Sequence, residues 1–249
     1  MIIKINGKEC ECEKGEYLLT VARRNGFEIP TLCHHAALPE GQGSCRVCIV
    51  EVTERGKKKI VVSCVYPITG EIEVETDSAK VRRERGMILT LLAKRAPESP
   101  EIKALCEKYN APEISRFVKV NNEKCVMCGL CAKVCHVLAA GAISTVNRGI
   151  TKAVSTPYDD PSESCLGCGS CAYVCPTNAI DLYEDEEKRI IWHKVFKLVR
   201  CKECGAVIGT EEQMKEALKR AGEEETGLCE TCRKNRIADV FSRVYGYDL

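Results

Sequence analysis

The chain opens on alternation. Ile3 and Ile5 flank Lys4, Asn6-Gly7 follows, and Glu9 to Glu13 runs back. Period-two patterning on both sides of Asn-Gly predicts a β-hairpin with a type I′ turn over residues 1–16. Cys10 and Cys12 share one face of the returning strand and have no C-x2-C partner, which reads as small packed side chains. Tyr17, Leu18, Val21 and Ala22 then recur at helical spacing until Gly26 stops the helix. Strand character returns at Ile49 to Thr53. The segment Ile68 to Thr76, where Ile72 and Val74 alternate with glutamates, is expected to close the sheet.

Ser78 is placed to cap a helix running to Leu92, with Val81, Ile88, Leu91 and Leu92 as its apolar stripe. Pro97 and Pro100 interrupt it, and a second helix, Glu101 to Tyr109, carries the solitary Cys106. Ala140 to Thr156 reads as a long connection punctuated by Pro157 and Pro161. Glu184 to Glu187 is a solvated turn. Ile190 to Val199 alternates enough for a strand, with Trp192, Phe196 and Leu198 as core candidates. Thr210 with Gln213 makes a capping box, and Gly222 ends that helix. Ile237, Val240, Phe241 and Val244 give the last helix, Arg236 to Tyr245, an apolar stripe suited to docking.

Composition changes this picture in one respect. The 249 residues suffice for two or three small domains, yet 19 cysteines accompany only four phenylalanines and one tryptophan. Small cores of this kind are stapled by something other than apolar packing. The segment Met1 to Gly7 turns polar too early for a signal peptide, and no stretch is apolar over a bilayer's width. A soluble protein of the reducing cytoplasm is expected, whose clustered C-x2-C spacings bind metal rather than form disulfides.

The cysteines fall in three groups. Cys125, Cys128, Cys131 and Cys135, and again Cys165, Cys168, Cys171 and Cys175, spell C-x2-C-x2-C-x3-C twice. That doubled spacing holds two [4Fe-4S] clusters, with the fourth cysteine of each run ligating the other run's cluster. It predicts Cys125, Cys128, Cys131 and Cys175 on one cluster, and Cys135, Cys165, Cys168 and Cys171 on the second. The fourth cysteine is expected at the start of the helix after each loop. Gly129 and Gly169 follow the second cysteine, where backbone must approach closely.

Cys33, Cys45, Cys48 and Cys64 form C-x11-C-x2-C-x15-C on a long loop beside the sheet, four thiolates suited to [2Fe-2S] in a β-grasp ferredoxin domain. Gly41, Gly43 and Ser44 let the loop wrap a cluster. His34 and His35 adjoin a ligand but have no vacant position to fill. Cys201, Cys204, Cys229 and Cys232 are two knuckles around a helix, resembling a zinc ribbon, and a further [4Fe-4S] is the competing reading.

The formal charge of +1 counts these cysteines as neutral. Each oxidised cluster or zinc on four thiolates carries about −2, so three clusters and a zinc would bring the chain near about −7. Nucleic-acid binding by the 37 lysines and arginines, which lie among glutamates, is disfavoured.

The cysteine order Cys33…Cys45-x2-Cys48…Cys64, followed by Arg82-Arg83, the Leu-rich helix and Val146-Asn147-Arg148-Gly149 between the two ferredoxin motifs, resembles one family. It is similar over residues 1–185 to the large iron–sulfur subunit of NADH dehydrogenase. The small diaphorase subunit of NAD-linked [NiFe] hydrogenases and the N-terminal part of multimeric [FeFe] hydrogenases share the pattern. Those relatives carry H-x3-C-x2-C-x5-C after the Leu-rich helix for an extra [4Fe-4S]. Here Arg95 to Asn110 holds one cysteine and no histidine, so that cluster is expected to be missing. His136 stands where small bacterial ferredoxins have proline; the relatives of this family lack that proline too, so His136, beside a cluster ligand, reads as neutral or mildly tuning.

The fold class expected is α+β. It comprises a β-grasp [2Fe-2S] ferredoxin domain at 1–78, a short helical linker at 79–118, a bacterial-type 2[4Fe-4S] ferredoxin domain at 119–185, and a zinc-ribbon-like four-cysteine domain with a docking helix at 186–249. No phosphate-cradling loop or nucleophile–base pair is present, so the chain is not expected to be catalytic alone. The resemblance implies an electron-transfer subunit of a cytoplasmic NAD(P)-linked oxidoreductase, including electron-bifurcating types. Its implied partners are a flavin- and NAD(P)-binding subunit, a thioredoxin-like [2Fe-2S] subunit, and a hydrogenase, formate dehydrogenase or ferredoxin. The alternatives are an iron–sulfur subunit of succinate dehydrogenase or fumarate reductase type and a freestanding polyferredoxin. The x11 gap counts against the first, because that family starts like a plant ferredoxin. A zinc-ribbon adaptor for nucleic acid would need a basic face, but Glu223 to Glu225 and Glu230 offset Arg233, Lys234 and Arg236.

Overall fold

Asn6 and Gly7 both take positive φ, 49° and 83°, which is the type I′ turn that the opening alternation predicts. They join β1 (Ile2–Ile5) to β2 (Lys8–Glu11), with Ile3 opposite Cys10. The computed structural model describes residues 1–38, 41–116, 124–138, 141–222 and 226–246. Helix α1 (Leu18–Arg24) buries Leu18, Leu19, Val21 and Ala22. A second hairpin follows, β3 (Ile49–Glu54) and β4 (Lys57–Val62), turning on Arg55-Gly56. The sequence pattern misses β4, because Lys57-Lys58-Lys59 masks the apolar Ile60-Val61-Val62 half.

Strand β5 (Glu73–Glu75) does not close the sheet at an edge. The order is β2-β1-β5-β3-β4, so β5 lies in the middle, parallel to β1 and antiparallel to β3. Val74 pairs with both Ile5 and Val52 there. All three join Ile3, Leu18, Leu19, Val21, Val50 and Ile68 in one buried cluster that also takes in Cys10 and Cys12.

Helix α2 (Ala79–Arg95) starts as expected, with the Ser78 hydroxyl accepting the Val81 N–H at 3.3 Å. Its buried face is not the predicted stripe. Val81, Arg85, Gly86, Leu89 and Thr90 face inward, while Leu91 is half exposed. The reason is Arg85, only 1% exposed. Its guanidinium donates to the carbonyls of Val47 (2.9 Å), Ile49 (2.6 Å) and Thr76 (3.1 Å), and to the Asp77 carboxylate at 2.8 Å. Tyr109, at the end of α3 (Pro100–Lys108), packs its ring 4.7 Å from the same group. An arginine can be buried when its guanidinium is hydrogen-bonded on every nitrogen, and it then fixes the helix face more firmly than a leucine stripe.

Helix α4 (Leu130–Leu138) follows the first cysteine loop. The expected long connection contains a small two-stranded sheet, β6 (Ser144–Val146) with β7 (Ala153–Ser155), with Asn147 at φ 59° just beyond β6. The second cysteine loop leads into the short α5 (Ser170–Tyr173). Strands β8 (Leu182–Glu184), β9 (Lys188–Ile191), β10 (Lys194–Arg200) and β11 (Val207–Thr210) then make an antiparallel sheet in the order β11-β10-β9-β8. The single strand expected over 190–199 is therefore a hairpin. Trp192 and His193 form its turn at φ 51° and 60°, so Trp192 is not a core residue, whereas Phe196 and Leu198 are buried.

Helix α6 (Glu211–Ala221) has the predicted ends, Thr210 accepting the Gln213 N–H at 3.1 Å and Gly222 in the left-handed region. The last helix, α7 (Glu230–Tyr245), begins earlier than its apolar stripe, because the Cys229 thiol caps it. Ile237, Val240, Phe241 and Val244 are all more than half exposed. Glu223 to Glu225 lie outside the described residues. No described helix is long and apolar enough to cross a membrane.

The chain divides into two units. One holds Met1–Val134, Thr145–Val154 and Cys171–Ile180, and the other Cys135–Ser144, Ser155–Ser170 and Asp181–Leu249. The segments of the two interleave along the sequence.

Candidate metal centres

The loop from Cys33 to Cys48 and the short turn at Cys64 bring four thiols together, all buried. The Cys33 sulfur is hydrogen-bonded by the Cys45 and Cys64 thiols and is held down to about 2 by them. Cys48 is held at about 6, chiefly by its bond to Cys64. Cys45 and Cys64, the other ends of those bonds, are pushed up. The backbone N–H of Cys45 also donates to the Cys33 sulfur at 3.5 Å. Behind the ligands, the Ser63 hydroxyl and Arg85 fix the backbone on both sides of Cys48.

Gly41 belongs to the same cradle. A Cβ there would stand 2.5 Å from the Cys64 carbonyl and 2.8 Å from its sulfur. His34 bonds Arg23 at 3.1 Å, and burial lowers its basicity. His35 accepts the Ala37 N–H and sets its ring edge-on to Tyr173.

Cys125, Cys128, Cys131 and Cys175 all lie in the first unit, although 44 to 50 residues separate Cys175 from the others in sequence. Burial pushes the Cys128 and Cys131 thiols up to about 12, and at Cys128 nearby Cys175 adds to the effect. Such thiols ionise only opposite positive charge, as a metal core supplies. The Met127 N–H reaches the Cys125 sulfur at 3.4 Å and the Ala179 N–H reaches Cys175 at 3.2 Å. Met127 takes positive φ, as does Gly129 after it, which curls the loop tightly enough for this.

The helical placement differs from expectation. The third cysteine of each run, Cys131 or Cys171, is the second residue of its helix. Cys135 sits one turn further along α4, and Cys175 lies past the end of α5. The C-x2-C loops spend their length on curvature, so the helix can start only at the third ligand. Cys135, Cys165 and Cys168 lie in the second unit, and Cys171 lies in the first.

The first two cysteine loops also touch. The Ser44 hydroxyl reaches the Cys128 carbonyl at 3.4 Å, and a Cβ on Gly129 would stand 2.9 Å from the Gln42 amide oxygen. Both residues lie on the loop between Cys33 and Cys45.

At the far end, the sulfurs of Cys201, Cys204, Cys229 and Cys232 all lie within 4.8 Å of one another. Cys204 and Cys229 are 3.6 Å apart. Tetrahedral Zn–S bonds of about 2.3 Å put sulfurs roughly 3.8 Å apart. A cubane interposes iron and sulfide between its thiolates and needs them roughly 6 Å apart. The donor set therefore fits one ion better than a cluster. Backbone N–H groups of Cys204 and Cys229 hold the Cys201 thiol down to about 6, ready to ligate at neutral pH.

Sequence patterning missed the side chains that hold these loops. Arg85 was hidden inside an apolar stripe, and Lys194 and Arg189 look like ordinary surface charge on alternating strands. Only the carbonyls they meet identify them.

Residues 1–79 match the model of a 2Fe-2S iron-sulfur cluster binding domain, and residues 118–182 that of a 4Fe-4S dicluster domain. The NADP-reducing hydrogenase subunit HndD of Solidesulfovibrio fructosivorans is 31% identical over 187 residues, 64% of this chain and 32% of that protein. A subunit of the NADH-quinone oxidoreductase of Rhizobium meliloti is 27% identical over 61% of this chain and 21% of its own length. The NADPH-Fe(3+) oxidoreductase subunit alpha of Geobacter sulfurreducens is 29% identical over 64% and 21%. The chain thus spans a third or less of the length of these curated relatives. A NAD+-reducing [NiFe]-hydrogenase structure in the H2-reduced state shares the fold at a TM-score of 0.53 and 23% identity, over 62% of this chain and 74% of that one.

Proposed function

We propose that this chain, with its 2Fe-2S domain and its 4Fe-4S dicluster domain, is an iron–sulfur electron-transfer subunit of a cytoplasmic, multisubunit NAD(P)-linked oxidoreductase. In this reading Cys33, Cys45, Cys48 and Cys64 hold a [2Fe-2S] cluster. Cys125, Cys128, Cys131 and Cys175 hold one [4Fe-4S], and Cys135, Cys165, Cys168 and Cys171 the other. Bound clusters would supply one-electron carriers. The protein's part is to bury them, aim backbone N–H groups at their sulfurs and keep them adjacent.

The observation that carries the reading is the contact between the first two loops through Ser44 and Cys128. It supports a continuous covalent and hydrogen-bonded route from the [2Fe-2S] ligands to the first [4Fe-4S] ligands. The likeness to subunits named for NADP-reducing hydrogenase and NADH-quinone oxidoreductase supports a flavin- and NAD(P)-binding partner, a thioredoxin-like [2Fe-2S] subunit, and a hydrogenase, formate dehydrogenase or ferredoxin beyond them. The missing histidine–cysteine box between Arg95 and Asn110 favours a shortened wire, of the kind an electron-bifurcating complex would use.

At the tail, the 4.8 Å sulfur separation favours zinc in a ribbon-like site. Metal analysis of anaerobically prepared protein is expected to give about ten irons and one zinc per chain. About fourteen irons without zinc would reject the tail assignment, and about six or fewer would reject the cluster set. With iron present, chelating the zinc should unfold α7 while leaving β10 and β11 folded and the iron in place, read by circular dichroism alongside iron content.

A further inference from the structure

The second cysteine loop is gripped, carbonyl by carbonyl, by the sheet that follows it. Lys194, the first residue of β10, sets its ammonium 3.1 Å from the Cys165 carbonyl, 3.2 Å from that of Ser162 and 3.4 Å from that of Glu163. Thr210, at the end of β11, donates to the Leu166 carbonyl at 2.5 Å. Arg189, on β9, donates to the Gly167 carbonyl at 2.7 Å. Three consecutive carbonyls are thus met by side chains from three strands. The Phe196 ring fills the place where a Cβ on Gly167 would stand, 2.5 Å away, and Lys194 lies over that ring at 4.9 Å.

The peptide bond makes this grip directional. In a trans peptide the C=O of one residue and the N–H of the next point opposite ways. Turning the carbonyls of Cys165, Leu166 and Gly167 toward the sheet turns the N–H groups of Leu166, Gly167 and Cys168 the other way. The Gly167 N–H is already bonded to the Cys165 sulfur. Two of the three grips are cationic and lie a few bonds from a proposed ligand; Arg189 is ion-paired with Glu184 at 2.6 Å, so Lys194 supplies the net charge. Gaining an electron makes a cluster more negative, so a fixed cation beside it favours the reduced form.

We propose that Lys194, with Arg189 and Thr210, is a positioning residue for the second [4Fe-4S] cluster: the C-terminal sheet shapes that cluster's N–H cradle and raises its reduction potential. This rests on the cluster assignment above and goes beyond it. None of the three residues is a ligand, and the sheet would serve to set one cluster of the wire apart from the others.

The test is an EPR-monitored redox titration of the full chain, prepared anaerobically, as wild type and as Lys194→Met, Lys194→Arg and Lys197→Met. Lys197 is on the same strand but is exposed and paired with Glu211, so it controls for charge in general. In Lys194→Met, one of two [4Fe-4S] waves is expected to move to lower potential. The reduced-to-oxidised ratio at fixed potential should fall roughly tenfold, about 59 mV. The [2Fe-2S] wave and the other [4Fe-4S] wave should stay, and Lys194→Arg should restore the wild-type value. Loss of about four irons in Lys194→Met alone, recovered in Lys194→Arg, would support the same role. The inference is overturned if wild type shows both [4Fe-4S] waves and Lys194→Met moves neither. It is also overturned if Lys197→Met moves them equally or if Lys194→Arg fails to restore. A wild type with a single [4Fe-4S] wave would instead reject the cluster assignment.

Discussion

Replacing Arg85 with methionine is expected to destabilise the N-terminal unit by about 3–5 kcal/mol. Methionine keeps most of the volume, so the loss is polar. Three backbone carbonyls, those of Val47, Ile49 and Thr76, would lose a buried donor, at about 1–3 kcal/mol each before relaxation. Asp77 is 42% exposed and can return to water, so no stranded charge adds to the sum. Against a total stability of about 5–15 kcal/mol the effect is large. With a urea slope of about 3 kcal/mol/M, the midpoint for loss of the [2Fe-2S] visible circular dichroism should fall by roughly 1–2 M. Arg85→Lys should recover only part, because lysine has a charge but no planar fork to span the carbonyls of Val47 and Ile49. A Met variant whose midpoint drops by no more than a few tenths of a molar would sink this account.

The second large effect is expected at Gly41. Its φ needs no glycine, so conformational freedom is not the issue. The issue is space, since the nearest atoms to an added Cβ are the carbonyl, Cβ and sulfur of Cys64, at 2.5, 2.6 and 2.8 Å. None is the far end of a flexible side chain. Gly41→Ala must therefore push a proposed ligand out of place. An overpacking cost of about 1–3 kcal/mol corresponds to roughly 5- to 150-fold weaker retention of the [2Fe-2S] iron against a chelator. Gly70→Ala is the control, because a Cβ there meets nothing within 4 Å. Equal iron retention in both variants would show that the cradle is not built around Gly41.

The sequence was most legible where chemistry imposes spacing. The doubled C-x2-C-x2-C-x3-C run, the x11 gap after Cys33 and the paired knuckles all mark their loops without reference to packing. Local backbone signals were equally clear: Asn6-Gly7, Ser78, Thr210 and Gly222 act within a few residues of themselves. What stayed hidden depends on partners distant in sequence. β5 carries only three residues, and its place between β1 and β3 comes from pairing across some 70 residues in one direction and 20 in the other. β4 and the Trp192 turn were obscured because solvent-facing lysines and an aromatic residue at a turn imitate other patterns. The inward face of α2 was misread for the same reason that Lys194 was overlooked. A charged side chain whose donors are taken up by buried backbone carbonyls looks, in sequence, like one facing water.

The interleaving of the two units has a consequence for how the protein is made. Emerging from the ribosome, the β-grasp sheet is complete once Glu75 has appeared. The first unit as a whole must wait for its last segment, which ends at Ile180. At about 5–20 residues per second those hundred or so residues take roughly 5–20 s. During that interval Cys125, Cys128 and Cys131 are synthesised and held without Cys175. The four thiols of the N-terminal domain can be together on a nascent chain before Cys125 is made, whereas Cys125, Cys128 and Cys131 can meet Cys175 only after it has appeared. Under the proposed cluster assignment, oxygen or a metal scavenger present in those seconds would harm the paired sites before the N-terminal one.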